Sequence, residues 1–238
     1  RMTPTTDDQV DAVARAARRA FAVTSIADAA TRAAWLRAVA DGLDARVDEL
    51  VALAHEETHL GDARLRGEVA RTTGQLRLFA AVVEEGSCLE ATIDHAVPDA
   101  TPPRPDLRRV LVPLGPVAVY SASNFPFAFS VAGGDTASAL AVGCPVIVKA
   151  HSGHPRLSEL TATIVTDALR QAGAPDGIFA LVSGRQAGIT LVEHPDICAA
   201  GFTGSLGGGR ALFDRAAARP VPIPFYGELA SINPVVVT

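Results

Sequence analysis

The chain has 238 residues, 48% of them hydrophobic and 20% charged, with a formal net charge of −5. Such a composition suits a globular protein with one large or two modest cores. The acidic balance argues against a nucleic-acid partner, and no apolar stretch approaches the roughly 20 residues that cross a bilayer, so no membrane partner is expected.

The first third reads as helical. Thr6, Asp7, Asp8 and Gln9 form a capping-box pattern, followed at helical spacing by Val10, Val13, Ala17 and Phe21. A second helix is expected from Asp28 through Trp35, Leu36, Val39 and Leu43, and the pattern continues over 48–54. Another fits 61–85, with Leu65, Val69, Leu76, Phe79 and Val82 on its apolar side. Nothing in this layer, residues 1–97, looks like a catalytic constellation.

Residues 98–105 are proline-rich and mark a turn or linker. From 106 onward short β-branched runs alternate with helical stretches. Strands are predicted at 109–112, 117–120, 146–149, 178–182 and 197–202. Helices are predicted from about 133, over 157–171, over 186–193 and from about 205. This alternation predicts an α/β fold, a Rossmann-like and mostly parallel sheet with helices on both faces, over residues 106–238. Two further short strands are expected near 222–226 and 233–237. The last residues read as a strand in progress, so the chain is expected to be a piece of a longer polypeptide.

The three cysteines, Cys88, Cys144 and Cys198, are an odd set without metal-ligand spacing. They suggest neither a disulfide framework nor a metal site, and they fit a reducing cytoplasm.

Of the 21 residues that are Lys or Arg, a single one, Lys149, is lysine. It ends the apolar run 145–148. An ammonium is a compact point charge and a guanidinium a wide fork, so the two are not interchangeable where geometry is tight. The carboxyl end of a buried strand is also where ligands bind in open α/β sheets; the alternative is a lysine that snorkels to the surface. The glycine-rich turn Gly204, Ser205, Leu206, Gly207, Gly208, Gly209 follows a predicted strand and opens a helix, which suits a phosphate, or is simply a tight turn. It lacks the G-x-G-x-x-G fingerprint, and Arg210-Ala211 stands where a P-loop has Lys-Ser/Thr, which disfavours an NTPase. Asn124, just after a strand, offers an amide to an oxyanion, or forms a turn. Glu228, between glycine and apolar residues, offers a carboxylate whose pKa apolar surroundings would raise, or a glutamate facing solvent.

In order along the chain stand Asn124-Phe125-Pro126, Val148-Lys149-Ala150, Gly201 to Ser205 with Gly209, and Gly227-Glu228-Leu229 followed by Asn233-Pro234. This set resembles the aldehyde dehydrogenase superfamily over essentially the whole chain. The wording from Ser123 to Thr136 is similar to the 2-oxoglutarate semialdehyde (2,5-dioxovalerate) dehydrogenase branch, itself akin to bacterial fatty aldehyde dehydrogenases.

The resemblance implies NADP-dependent oxidation of a small aldehyde to an acid, with NAD as a second cofactor. It makes Asn124 the oxyanion amide and Glu228 the base that activates water. Lys149 would bind the adenosine ribose or its 2′-phosphate. Phe202, Thr203, Gly204, Ser205 and Gly208 would follow the pyrophosphate and nicotinamide. Gly184 and Gly188 would lie at the adenine end, Leu229 near the nicotinamide, and Ser121, Ala122 and Ser123 along the cofactor. Where NAD-preferring relatives carry a glutamate three residues after the lysine, this chain has Ser152, with His151 beside it, which favours NADP. The family's nucleophilic cysteine would lie several tens of residues beyond Glu228, and none of the three cysteines has its motif. The chain alone is therefore expected to be inactive, and the complete protein a homodimer or homotetramer. The alternatives are a catalytically dead nucleotide-binding or scaffold protein and a dehydrogenase of fatty or other aldehydes.

Overall fold

The computed structural model describes residues 2–230 and 235–236. Four helices come first: α1 (Asp7–Thr24), α2 (Ala29–Asp44), α3 (Val47–Thr58) and α4 (Asp62–Glu85). The capping box is present: Thr6 Oγ1 accepts from the Gln9 amide, and the Gln9 side chain accepts from the Thr6 amide. Asp28 caps α2 through the Thr31 amide. On α4 the buried stripe runs through Leu65, Val69, Leu76, Ala80 and Val83. Val82, placed on that face by the sequence reading, is exposed. Steps of four and three from Leu76 reach Ala80 and Val83, so Val82 falls outside the stripe.

A two-stranded antiparallel hairpin follows, β1 (Thr92–Asp94) with β2 (Leu107–Arg109), and the proline-rich 98–105 lies in its connection. The strand predicted at 109–112 is displaced: only Arg109 pairs, and Val110, Leu111 and Val112 lie beyond the strand and exposed.

The remainder alternates: β3 (Val117–Tyr120), α5 (Gly134–Ala141), β4 (Val146–Lys149), α6 (Pro155–Gln171), β5 (Phe179–Val182), α7 (Arg185–Glu193), β6 (Ala199–Gly204), α8 (Leu206–Ala217) and β7 (Phe225–Leu229). The sheet order is β5-β4-β3-β6-β7 and all four pairings are parallel, which is the doubly wound arrangement expected. Two strands sit later than predicted. β6 runs on to Gly204, and β7 begins at Phe225 because Pro222 and Pro224 have no N–H to give a ladder. The strand expected at 233–237 falls largely outside the described residues.

Both faces of the sheet are covered. Val117 and Val119 of β3, with Val146 and Val148 of β4, pack with buried residues of α2 to α6; Ala118, Tyr120 and Ile147 pack on the other side with α1, α7 and α8. Strands enclosed this way read as continuous apolar runs. The N-terminal helices therefore divide, α1 to one face and α2, α3 and α4 to the other. Ahead of α1, residues 3–5 run past the end of β5. The Thr5 amide donates to Ser183 O at 2.9 Å, the Ser183 amide donates to Thr5 Oγ1 at 2.9 Å, and Ser183 Oγ donates to Thr3 O at 2.6 Å.

From β3 the chain steps outward to β4 and β5, then crosses back to β6 and β7 on the other side. The loops after β3 and β6 diverge at this switch point, where open sheets of this class bind ligands.

Candidate active site

The strand ends are in register, Tyr120 opposite both Lys149 and Phe202, and Lys149 opposite Val182. Beyond them opens a cleft of about 840 Å³, within the usual range for a small-molecule site. Its wall gathers most of the nominated residues: Ser121, Ala122, Ser123 and Asn124 after β3; Lys149 and His151 after β4; Gly188 on α7; Phe202, Thr203, Gly204, Ser205 and Gly208 at the β6–α8 turn; and Glu228. Three nominated residues are not on it. Ser152 is exposed in the turn before α6. Gly184, with φ of 99°, caps α7 against Pro4. Leu229 turns towards α8, where a Cβ added to Gly209 would collide with it.

The wall also includes Tyr120, Phe125, Arg185 and Ile189, which the sequence reading passed over. Tyr120 is buried and its phenol donates to Gly188 O at 2.6 Å. As the last residue of β3 it occupies the same register as Lys149, a signal that only strand alignment reveals.

One end of the cleft is cationic. Lys149 is half-buried; burial pulls its pKa below the usual lysine value, and among the described residues no carboxylate offsets this. Gly188 lets α7 approach, since a Cβ there would stand 3.4 Å from Lys149 Cγ and 3.3 Å from Tyr120 Cε1. Arg185, exposed at the start of α7, lines the same wall, and Arg215 does so while paired with Glu193. His151 is pushed down to about 4, by burial first and then by His154 and Lys149. The ring is therefore neutral near pH 7. Its Nδ1 accepts the Gly153 amide at 3.0 Å, which leaves the ring proton on Nε2 as a donor. Next to this end α8 begins, with Ser205 Oγ accepting the Gly208 amide at 3.3 Å; its first turn, exposed at Gly207 and Gly208, favours an anion. A phosphate-bearing anion fits this donor set.

At the other end stand Asn124 and Glu228. Glu228 pairs in register with Thr203, at the carboxyl end of β6. Among the described residues it is exposed, which matches the solvent-facing alternative and not enclosure by apolar neighbours. Among the described residues it is the only carboxylate on the wall. Asp135, on the first turn of α5, lies against Gly201, and its carboxyl pKa is raised by burial and then by Glu228. Among the described residues, which include all three cysteines, no cysteine lines the cleft. The Cys144 and Cys198 thiols are pushed up by burial, which makes them poor nucleophiles.

The model of the Aldehyde dehydrogenase family matches residues 1–238. The chain belongs to that family. Its similarity to aldehyde dehydrogenases extends to an alpha-ketoglutaric semialdehyde dehydrogenase 2 of Azospirillum brasilense, 55% identical over 95% of this chain and 44% of the relative. An alpha-ketoglutaric semialdehyde dehydrogenase of Acinetobacter baylyi is 49% identical over 97% of this chain and 44% of the relative. This aldehyde dehydrogenase chain thus spans less than half the length of these two relatives. Among solved structures, an NAD-dependent benzaldehyde dehydrogenase from Corynebacterium glutamicum superposes with a TM-score of 0.81 at 25% identity, covering 95% of this chain and 46% of that one.

Proposed function

We propose that this chain forms the cofactor-binding part of an NADP-dependent dehydrogenase that oxidises 2-oxoglutarate semialdehyde to 2-oxoglutarate. The observation that carries the reading is the cationic end of the cleft. Lys149 and Arg185 stand there, and Glu228, the one carboxylate among the described wall residues, stands at the other end of the cleft, an arrangement that accepts a ribose 2′-phosphate. The substrate class rests on the two semialdehyde dehydrogenases that match over nearly the whole chain.

A nicotinamide cofactor, when bound, supplies the electron acceptor for the oxidation. Lys149, Arg185 and the first turn of α8 would hold its phosphates and ribose, with Gly188 leaving room beside the lysine. The Asn124 side-chain amide donates to the aldehyde oxygen as that oxygen gains negative charge. The Glu228 carboxylate takes a proton from water, which then releases the acyl group as the acid. The acyl group is carried by a thiol in the part of the relatives' length that this chain does not span, consistent with the absence of a cysteine from the wall. The complete protein is proposed to be a cytoplasmic homodimer or homotetramer.

A second reading, a nucleotide-binding protein without turnover, is favoured by that same lack of a thiol on the wall. The natural gene product decides. Its mass, its affinities for NADP and NAD, and its rates on a panel running from 2-oxoglutarate semialdehyde to fatty aldehydes are the measurements. A polypeptide about twice as long, tighter NADP binding and preference for the semialdehyde are expected. Cofactor binding with no turnover on any aldehyde would leave the second reading standing.

A further inference from the structure

Glu68 lies on α4, in the N-terminal half that carries no nominated site residue, and is 5% exposed. Its Oε1 accepts the Phe127 amide at 2.7 Å and the Ala128 amide at 3.0 Å. Its Oε2 has no hydrogen-bond partner among the described residues. A carboxylate taken out of water without a bonded cation is costly, and an apolar side chain would pack there at less cost. The need it meets belongs to the loop between β3 and α5. The amides of Phe129, Ser130, Gly133 and Gly134 are bonded to carbonyls within that loop, whereas Phe127 and Ala128 donate to Glu68.

The same face of α4 holds the loop at two more points. Arg64 Nη2 donates to the backbone oxygen of Asn124 at 2.8 Å. The Arg64 and Arg71 guanidinium carbons lie 5.2 and 5.8 Å from the centre of the Phe125 ring. Positions 64, 68 and 71 share one helix face. From the other side the fully buried His154 holds Ala122 O through Nε2 at 3.0 Å. Asn124, held at its own backbone oxygen by Arg64, lies between the points held at 122 and at 127–128, so the direction of its side chain follows a backbone fixed from three places.

We infer that Glu68 is a positioning residue for Asn124. Through two backbone amides it fixes the loop that aims the Asn124 side chain at the aldehyde oxygen. The inference rests on the oxyanion role proposed above for Asn124.

The test uses the full-length enzyme, rapidly mixed with NADP and 2-oxoglutarate semialdehyde. The readouts are the first-turnover rate of nicotinamide reduction, NADP affinity, and hydrogen exchange at the Phe127 and Ala128 amides. Glu68→Leu should slow the first turnover by about ten- to a hundredfold and speed exchange at the two amides, with NADP affinity unchanged. Glu68→Gln keeps an acceptor oxygen and should restore most of the rate. In an Asn124→Ala background, Glu68→Leu should add little, since both changes act on one group. If Asn124→Ala turns over at the wild-type rate, the oxyanion role fails and this inference with it. If Asn124→Ala is slow while Glu68→Leu is as fast as wild type, or if the two losses multiply independently, only the Glu68 role fails. Should Glu68→Leu give no soluble protein, Glu68→Gln decides: slow exchange at the two amides with a collapsed first turnover would overturn the inference.

Discussion

Lys149 holds an ammonium half out of water and among the described residues no carboxylate faces it, an arrangement that a bound anion completes. Lys149→Ala should weaken NADP binding by about 1–3 kcal/mol, the value of a charge-assisted contact; calorimetry giving an unchanged Kd would remove the residue from the cofactor site. His151 offers a second handle. Its folded ring titrates near 4 and the unfolded ring near 6.5. Between those values the unfolded chain holds more protons, so stability is lost as pH falls from about 6.5 to 4. The denaturant midpoint of His151→Gln should lose part of that slope, and identical pH profiles for the two proteins would count against the shift. At this scale the sequence revealed residues that are unusual by type, such as a lone lysine or an asparagine after a strand. It could not reveal Tyr120, which matters through the register of strand ends, or Arg185, which matters through where α7 begins. It left open whether Glu228 sits among apolar residues or faces solvent, because neighbours along a chain are not neighbours across a sheet.

At the scale of elements, the β6–α8–β7 corner shows how tightly the cleft floor is built. A Cβ on Gly209 would meet Leu229 and stand 3.0 Å from the Phe202 ring. Gly209→Ala should therefore cost about 1–3 kcal/mol by overpacking, less about 1 kcal/mol of gained helix propensity. A net gain in urea stability would show that Leu229 yields freely. Strands enclosed on both faces, β3, β4 and β5, were legible as apolar runs within a residue of their ends. The hairpin strand β1 was not, since Thr92, Ile93 and Asp94 are three residues with neither burial nor alternation to betray them. The late start of β7 was written in Pro222 and Pro224, whose missing N–H groups outweigh the apolar appearance of that stretch.

Across the whole molecule, Trp35, the single tryptophan, is buried in the core that α2 to α6 share with one face of the sheet. Because helices from before and after residue 100 fill that core together, the helical layer and the alternating part should unfold as one unit. Trp35 fluorescence and far-UV circular dichroism should give coincident denaturant curves; two separated transitions would mean that the helical and alternating parts are independent. The alternating pattern was readable from sequence as a doubly wound sheet. The split of the N-terminal helices between its faces was not, because periodicity gives the buried side of a helix and never its partner.

The strap of residues 3–5 across Ser183 bears on solubility. Among the described residues β5 is the outermost strand on its side of the sheet, and a bare strand edge is a template for pairing with a second chain. The Thr3 and Thr5 contacts occupy the end of that edge with bonds from the same molecule. Trimming residues 1–5 would strip them away while keeping the Thr6 cap of α1 and leaving the cleft untouched, and the shortened protein should scatter light at concentrations where the intact chain stays clear.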